Sequence, residues 1–342
     1  MKTPHVLFAV VFAAGCGPMV TEPMPDIPET VEYDTVRIDY GDDDLVAGQA
    51  LSVHPRALVG DPSAVAHLSQ VLVQGTNRVI RDQLLLVGAV TDLPPTSWDN
   101  GLWVWDNAEV KQASERFSRF AITEGDGRIE YRWEVGNDAD EMLEIFSGWF
   151  APMERGGGGQ RGTGLVRFDF DNVLAVDPEA DVPQGRAAIA FRAVGGVRQV
   201  RVAAYELIQK GKTEPQSSLY DYVQLPDGDG RFRFGTRTDF LHDGAPHELL
   251  AVDAAWNEGA EGRASARLTG GSLLINEVLL EECWDAAANV TFADATPNLA
   301  PNYEDGTRDA CRPEHLALEL APPEFLIPEG DPVVPSAHPA EQ

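Results

Sequence analysis

Three cysteines carry the most specific chemistry in this 342-residue chain. Cys16 follows Ala13-Ala14-Gly15 at the end of the apolar run Val6–Ala14. A thiol placed there is suited to acylation through a thioether, with cleavage of the preceding peptide bond leaving an acylated N-terminus. That removes one cysteine from the count and leaves Cys283 and Cys311. In an oxidising compartment an even pair reads as a disulfide. Closing a loop of about 30 residues would stabilise the fold by about 3–4 kcal/mol on the chain-entropy model. The alternative is a reactive thiol at Cys283, which Glu281, Glu282 and Asp285 oppose by disfavouring a thiolate.

The other constellations weigh toward bland readings. Gly156–Gly164 invites comparison with a phosphate-binding loop, but it has no Gly-Lys-Ser/Thr end and a strand pattern follows it. It reads as a flexible hairpin connection. His242 and His247, with Asp243 and Glu248, could suggest a metal site or a base. Their spacing is not that of two ligands on one helix face, and Gly244-Ala245-Pro246 makes a turn. His54, His67 and His315 are isolated. Asp227 and Asp229 sit in a Gly-rich turn that explains them without calcium. Asp42-Asp43-Asp44 lacks the alternating ligands and later glutamate of a usual calcium loop. No Gly-x-Ser-x-Gly elbow is present. The expectation is no catalytic residue, no metal ligand, no cofactor and no enzyme.

Stepping outward, Lys2 and the run Val6–Ala14 divide residues 1–15 as a secretory signal does, and the run is too short to span a bilayer. Ala13-Ala14-Gly15-Cys16 resembles a lipobox, with Ala13 where leucine is most usual. Acyl chains on Cys16 would make the membrane a partner, since each buried methylene contributes about 0.8 kcal/mol. Gly17, rather than aspartate, follows the cysteine and points to the outer membrane. The alternative is an ordinary signal peptide. The formal charge is −29, and losing Lys2 with the leader makes it −30. Such a field repels nucleic acid and anionic surfaces.

These groups must be positioned by a β-rich domain. Residues 16–47 are rich in Pro, Glu and Asp and read as an acidic tether. The globular part is expected over 48–315, with a Pro-rich tail over 316–342. Asp61-Pro62 opens a helix bearing Val65, Leu68, Leu72, Val79, Ile80, Leu84 and Leu85 at helical spacing. Gly75 suggests a kink or a helix pair, and Pro94-Pro95 ends the segment. Up to about ten strands follow in consecutive hairpins, among them Arg128–Val135, Leu165–Val176, Val197–Leu207 and His247–Asn257. Antiparallel neighbours in that number imply one meander that must curl, with the early helix as the plug of its concave face. The fold class expected is mainly β: a single strongly curved antiparallel sheet, an unclosed barrel, around an N-terminal helix or helix pair. Trp105, Trp133, Phe168 and Phe170, with Trp103, Trp149, Phe150, Phe191 and Tyr205, could line an apolar cavity or form an ordinary core.

The segment Asn77–Trp105, in which a helix ends in Leu93-Pro94-Pro95-Thr96 and runs into an aromatic strand, resembles one found in uncharacterised bacterial lipoproteins. Gly270-Gly271, Glu282-Cys283-Trp284-Asp285 and Ala310-Cys311 resemble their C-terminal end. The likeness spans roughly residues 60–312 and implies no activity. In layout the chain also resembles envelope lipoprotein carriers of the LolA/LolB type, an unclosed barrel around helices with an apolar cavity for acyl chains. Fold-level likeness does not fix function. The expectation is an envelope-anchored lipoprotein with a structural or interaction role. The alternative is a carrier or sensor of an apolar ligand, an acyl chain or a lipoprotein, held in the concave face.

Overall fold

The computed structural model describes residues 26–28, 33–37, 58–107, 116–153, 161–208, 215–238, 248–271, 273–297 and 305–311. Among them the chain is mainly β, with one antiparallel sheet that does not close into a barrel. Its first strands are β1 (Ser97–Asp99), β2 (Leu102–Asp106), β3 (Phe117–Gly125), β4 (Arg128–Gly136) and β5 (Leu143–Pro152). Then come β6 (Gly162–Asp169), β7 (Gln184–Val194), β8 (Val197–Ile208), β9 (Gln216–Gln224) and β10 (Gly230–Thr238). The last are β11 (Glu248–Trp256), β12 (Gly262–Gly270), β13 (Glu277–Trp284), β14 (Val290–Thr296) and β15 (Asp305–Gly306). Spatial order equals chain order throughout.

One long helix, α2 (Ala64–Thr91), lies in the concavity; α1 (Tyr33–Val36) and α3 (Phe170–Val176) are short. Val65, Val73, Ile80, Val87 and Val90 of α2 share one core with aromatic residues from β2 to β13. Both ends of α2 are fastened to the sheet. Its start is fixed to β13, and the chain just beyond it to β2 through a Trp105 Nε1 hydrogen bond to Leu93 O at 2.8 Å. A 28-residue helix is about 42 Å long. Eleven strand spacings laid flat, from β2 to β13, would be about 53 Å. The two attachments tie the helix to strands near opposite ends of the sheet, β13 and β2.

The register makes two different faces. Inward, Trp105, Phe120, Trp133, Phe146 and Phe168 stand opposite one another across β2–β6. Their rings meet at 5.6 Å (Trp105–Phe120), 5.8 Å (Phe120–Trp133) and 5.3 Å (Phe146–Phe168). Outward, Arg201, Asp221, Arg233 and Asp253 occupy one row across β8–β11. Asp253 is fully buried, with Arg231 at 2.5 Å and Arg233 at 3.3 Å. Alternating charges replace apolar side chains there as the cross-strand contact.

Several boundaries differ from expectation. Ser63, not Asp61, caps α2, because Asp61-Pro62 runs as extended chain along the start of β14. The helix passes Gly75 as one unit: packing of an amphipathic face outweighs the roughly 1 kcal/mol of helix propensity that a glycine forgoes. Leu85, grouped with the apolar set, points outward and is 62% exposed. The strand expected to run to Val176 stops at Asp169, which accepts from Asn172 N and starts α3. Among the described residues fifteen strands replace about ten, since β1, β15 and the cysteine-containing β13 and β14 add to the expected hairpins. Within the span expected as tether, α1 packs on α2, β7 and β8, and Val36 is 2% exposed. Ile27 also packs on the core.

Close approach sets one tight requirement. Gly262 faces Trp284 and Gly230 faces Trp256 across strand pairs, and the indoles lie where a Cβ would stand. Gly262→Ala should therefore displace Trp284 and destabilise by about 1–3 kcal/mol, the usual range for overpacking. Gly125→Ala, where a Cβ meets open space, should be near neutral. Urea midpoints of both variants check this.

Candidate functional site

A buried polar cluster lies where α2 meets β13. Alternation along β13 turns Leu280, Glu282 and Trp284 inward and Glu281 and Cys283 outward. A glutamate thus faces the core, 1% exposed. Three of the first helix groups satisfy it. Ser63 Oγ donates to Glu282 Oε2 at 2.7 Å, and Val65 N donates to the same oxygen at 3.2 Å. Ala64 N also donates to the carboxylate. Ser63 Oγ in turn accepts from Ala66 N at 3.1 Å. The first N–H groups of a helix have no partner within it, and the helix dipole favours negative charge there. Glu282 supplies both needs from another element.

Burial pushes the Glu282 carboxyl above its ordinary range, while the hydrogen bonds from Ser63, Val65 and Ala64 pull the other way. A serine hydroxyl, a carboxylate and helix N–H donors are also the parts of a nucleophilic site. Here both side chains are enclosed and committed to the helix cap, so the arrangement is a structural clasp.

Behind it, Cys283 is bonded to Cys311, with a Cα separation of 5.3 Å. Arg308 Nη2 donates to Glu281 Oε2 at 3.0 Å, and its guanidinium lies 5.5 Å from the centre of the Phe292 ring. Backbone bonds close the same corner: Gly60 N to Val290 O (2.8 Å), Val290 N to Asp61 O (2.7 Å) and Ser63 N to Ala288 O (2.8 Å).

Trp105, Trp133 and Phe168 are brought together in the inner aromatic row, and Phe170 stacks on Phe168 from α3 with ring centres 6.2 Å apart. The indole N–H groups are used within the chain: Trp105 donates to Leu93 O and Trp133 to Ser118 Oγ at 2.9 Å. Trp103, Phe150 and Phe191 are core residues as well. Trp149 and Tyr205 are not; they face outward, where Arg128 and Arg186 lie 5.9 Å from their ring centres. Alternation within their strands decides this. Asp227 and Asp229 flank Gly228, against which the side chain of Glu258 packs. Asp227 Oδ1 accepts from Asp229 N at 3.3 Å inside the β9–β10 turn, and Gly228 there has a φ of +92°.

Among the described residues no group of three or more His, Cys, Asp or Glu converges as a metal site. Among them, too, no helix is long and apolar enough to cross a membrane. Cys16, residues 156–160, Asp42–Asp44, His54, His242, His247, His315 and the tail over 316–342 lie outside the described residues. In the sequence Glu282 reads only as an acid beside Cys283. The available signal was its place in the inward phase of Leu280, Glu282 and Trp284. In comparison with known proteins, no family model, no curated protein and no solved structure matches the chain.

Removing the carboxylate by Glu282→Ala leaves buried N–H and O–H donors unmet, and should destabilise by about 1–3 kcal/mol. Glu282→Gln keeps an acceptor and separates charge from hydrogen bonding. Because the folded-state pKa is raised, the folded state holds its proton more tightly than the unfolded one. The associated stability is present below the unfolded pKa and is lost as pH rises through the folded value. Urea unfolding from acid to neutral pH should show wild-type stability falling relative to Glu282→Gln. Parallel curves would contradict the assignment.

Proposed function

We propose that this protein is an envelope lipoprotein, anchored through acylated Cys16 to the outer membrane, whose domain serves a structural or interaction role rather than catalysis. The observation that supports a structural or interaction role over a carrier is the seating of α2. Its buried face shares a continuous core with the aromatic rows of the sheet. A carrier keeps an apolar cavity open beside its helices, whereas the buried face of α2 and the rings of the sheet form one cluster here. The inner indoles of Trp105 and Trp133 spend their polar groups on the chain itself, which fits a permanent core.

Anchoring is supported by the order of Lys2, the run Val6–Ala14 and Ala13-Ala14-Gly15-Cys16. The disulfide agrees with an oxidising compartment. The partner that fits this reading is another envelope protein; the acidic charge disfavours nucleic acid.

Two measurements test the proposal. Cys16→Ser should move the protein from the membrane fraction to the soluble fraction; retention on the membrane rejects the anchor. Native mass spectrometry of the protein taken from its own membrane should show the covalent acyl mass and no further adduct. A stoichiometric non-covalent lipid would favour the carrier.

A further inference from the structure

The fastenings around the clasp converge on one short segment. Residues Asp305–Cys311 run along the outer side of β14, where β15 pairs with Phe292 and Ala293. A 3-10 turn, Arg308–Ala310, follows and leads to Cys311. At the far end, Asp305 Oδ2 accepts from Val59 N at 2.8 Å. Val59 directly precedes the backbone bonds from Gly60, Asp61 and Ser63 that carry the chain along β14 into α2. This strap therefore touches both the edge of the sheet and the approach to the helix.

We propose that Cys283–Cys311 is a redox fastener: its reduction releases the strap, bares the edge of β14 and loosens the seating of the start of α2. The comparison of forces carries the inference. Apart from the disulfide, the strap is held among the described residues by a two-residue strand, the exposed Val59 N–Asp305 hydrogen bond, ion pairs from an Arg308 that is 53% exposed to Glu281 and, at 3.9 Å, Asp294, and one cation–π contact. Exposed ion pairs and cation–π contacts each contribute little, whereas ordering a chain segment costs conformational entropy at every residue. The covalent bond removes that cost by keeping the strap in place. Once it is cut, the remaining contacts do not hold seven residues.

The exchange runs through Cys311. Cys283 is fully buried, while Cys311 is half-buried and follows five exposed residues. A thiolate of a dithiol reagent attacks the Cys311 sulfur and the Cys283–Cys311 bond breaks. Cys283 leaves as a thiolate and takes a proton. The second thiol of the reagent then displaces Cys311, forming the cyclic disulfide of the reagent. One disulfide becomes two thiols and one dithiol is oxidised.

Hydrogen exchange on the full chain tests this, comparing oxidised protein with protein held reduced by dithiothreitol. In the reduced form, exchange at Gly60, Ser63 and Val290 should quicken by on the order of tenfold or more, while β4 amides keep their rates. Cys311→Ser should match the reduced pattern with or without reagent, and the reduced wild type stands alone if that variant does not fold. Unchanged rates at Gly60, Ser63 and Val290 in fully reduced protein would overturn the proposal. So would an equal acceleration in β4, because the bond would then staple the whole domain. A small monothiol should be trapped as a mixed disulfide on Cys311; finding it on Cys283 would overturn the route.

Discussion

The hydrogen bonds from Ser63 Oγ and Val65 N to Glu282 join the helix to the sheet, and much of the architecture follows from that junction. A carboxylate buried without partners is disfavoured by its lost hydration, and a buried helix start without acceptors is disfavoured for the same reason. Neither element could bury this end alone. Together they supply the helix donors with an acceptor and offset part of the carboxyl's burial, and the helix dipole adds in the favourable sense; burial still outweighs these contacts for the charged form. The far end has a weaker counterpart in Trp105 and Leu93. A helix held at both ends links strands near opposite ends of the sheet, β13 and β2.

The sequence displays the local rules of this fold more clearly than its long-range ones. Strand β4 is legible because Ile129, Tyr131, Trp133 and Val135 alternate with charged residues and a Gly-containing turn precedes them. The cysteine pair is legible from count and compartment. Strand β13 is hidden because its inward phase includes Glu282, which reads as polar until the helix start opposite it is known. Val36 is hidden for another reason: the apolar residues around it are interspersed with acids in a short Pro- and acid-rich stretch that reads as a tether, and only the fold shows that it is buried. At Asp169 an N-cap ends the strand, a choice that alternation continuing through Phe170 disguises. The candidate site follows the same pattern. Cys283 and Cys311 were readable, while their connection to the helix start needed residues more than two hundred positions apart.

The two faces of the sheet solve one problem by different means. Inside, large rings fill the space between sheet and helix. Outside, the Arg–Asp row and its neighbours form the cross-strand contacts. Ala188, Ala190, Ala251 and Ala255 are buried among these rows, opposite arginines in neighbouring strands. Arginine stems are well suited to cover such small residues while their heads pair with carboxylates. An acidic chain thereby directs many of its arginines to internal partners. Its remaining acidic excess is what any partner meets, which favours basic or neutral surfaces.

A sheet that does not close leaves two edges, and exposed edges invite pairing with other chains. The two edges here are blunted differently. At one end β1 is three residues long, too short to template a long ladder. At the other, β14 is seven residues long and would be a better template. It is there that the chain turns back, with residues 60–62 and the strap both lying along it. Covalent fastening is placed at the edge with the greater need. On the proposed role of the disulfide, it also helps residues 60–62 keep β14 covered, an edge that the unclosed sheet would otherwise present among the described residues.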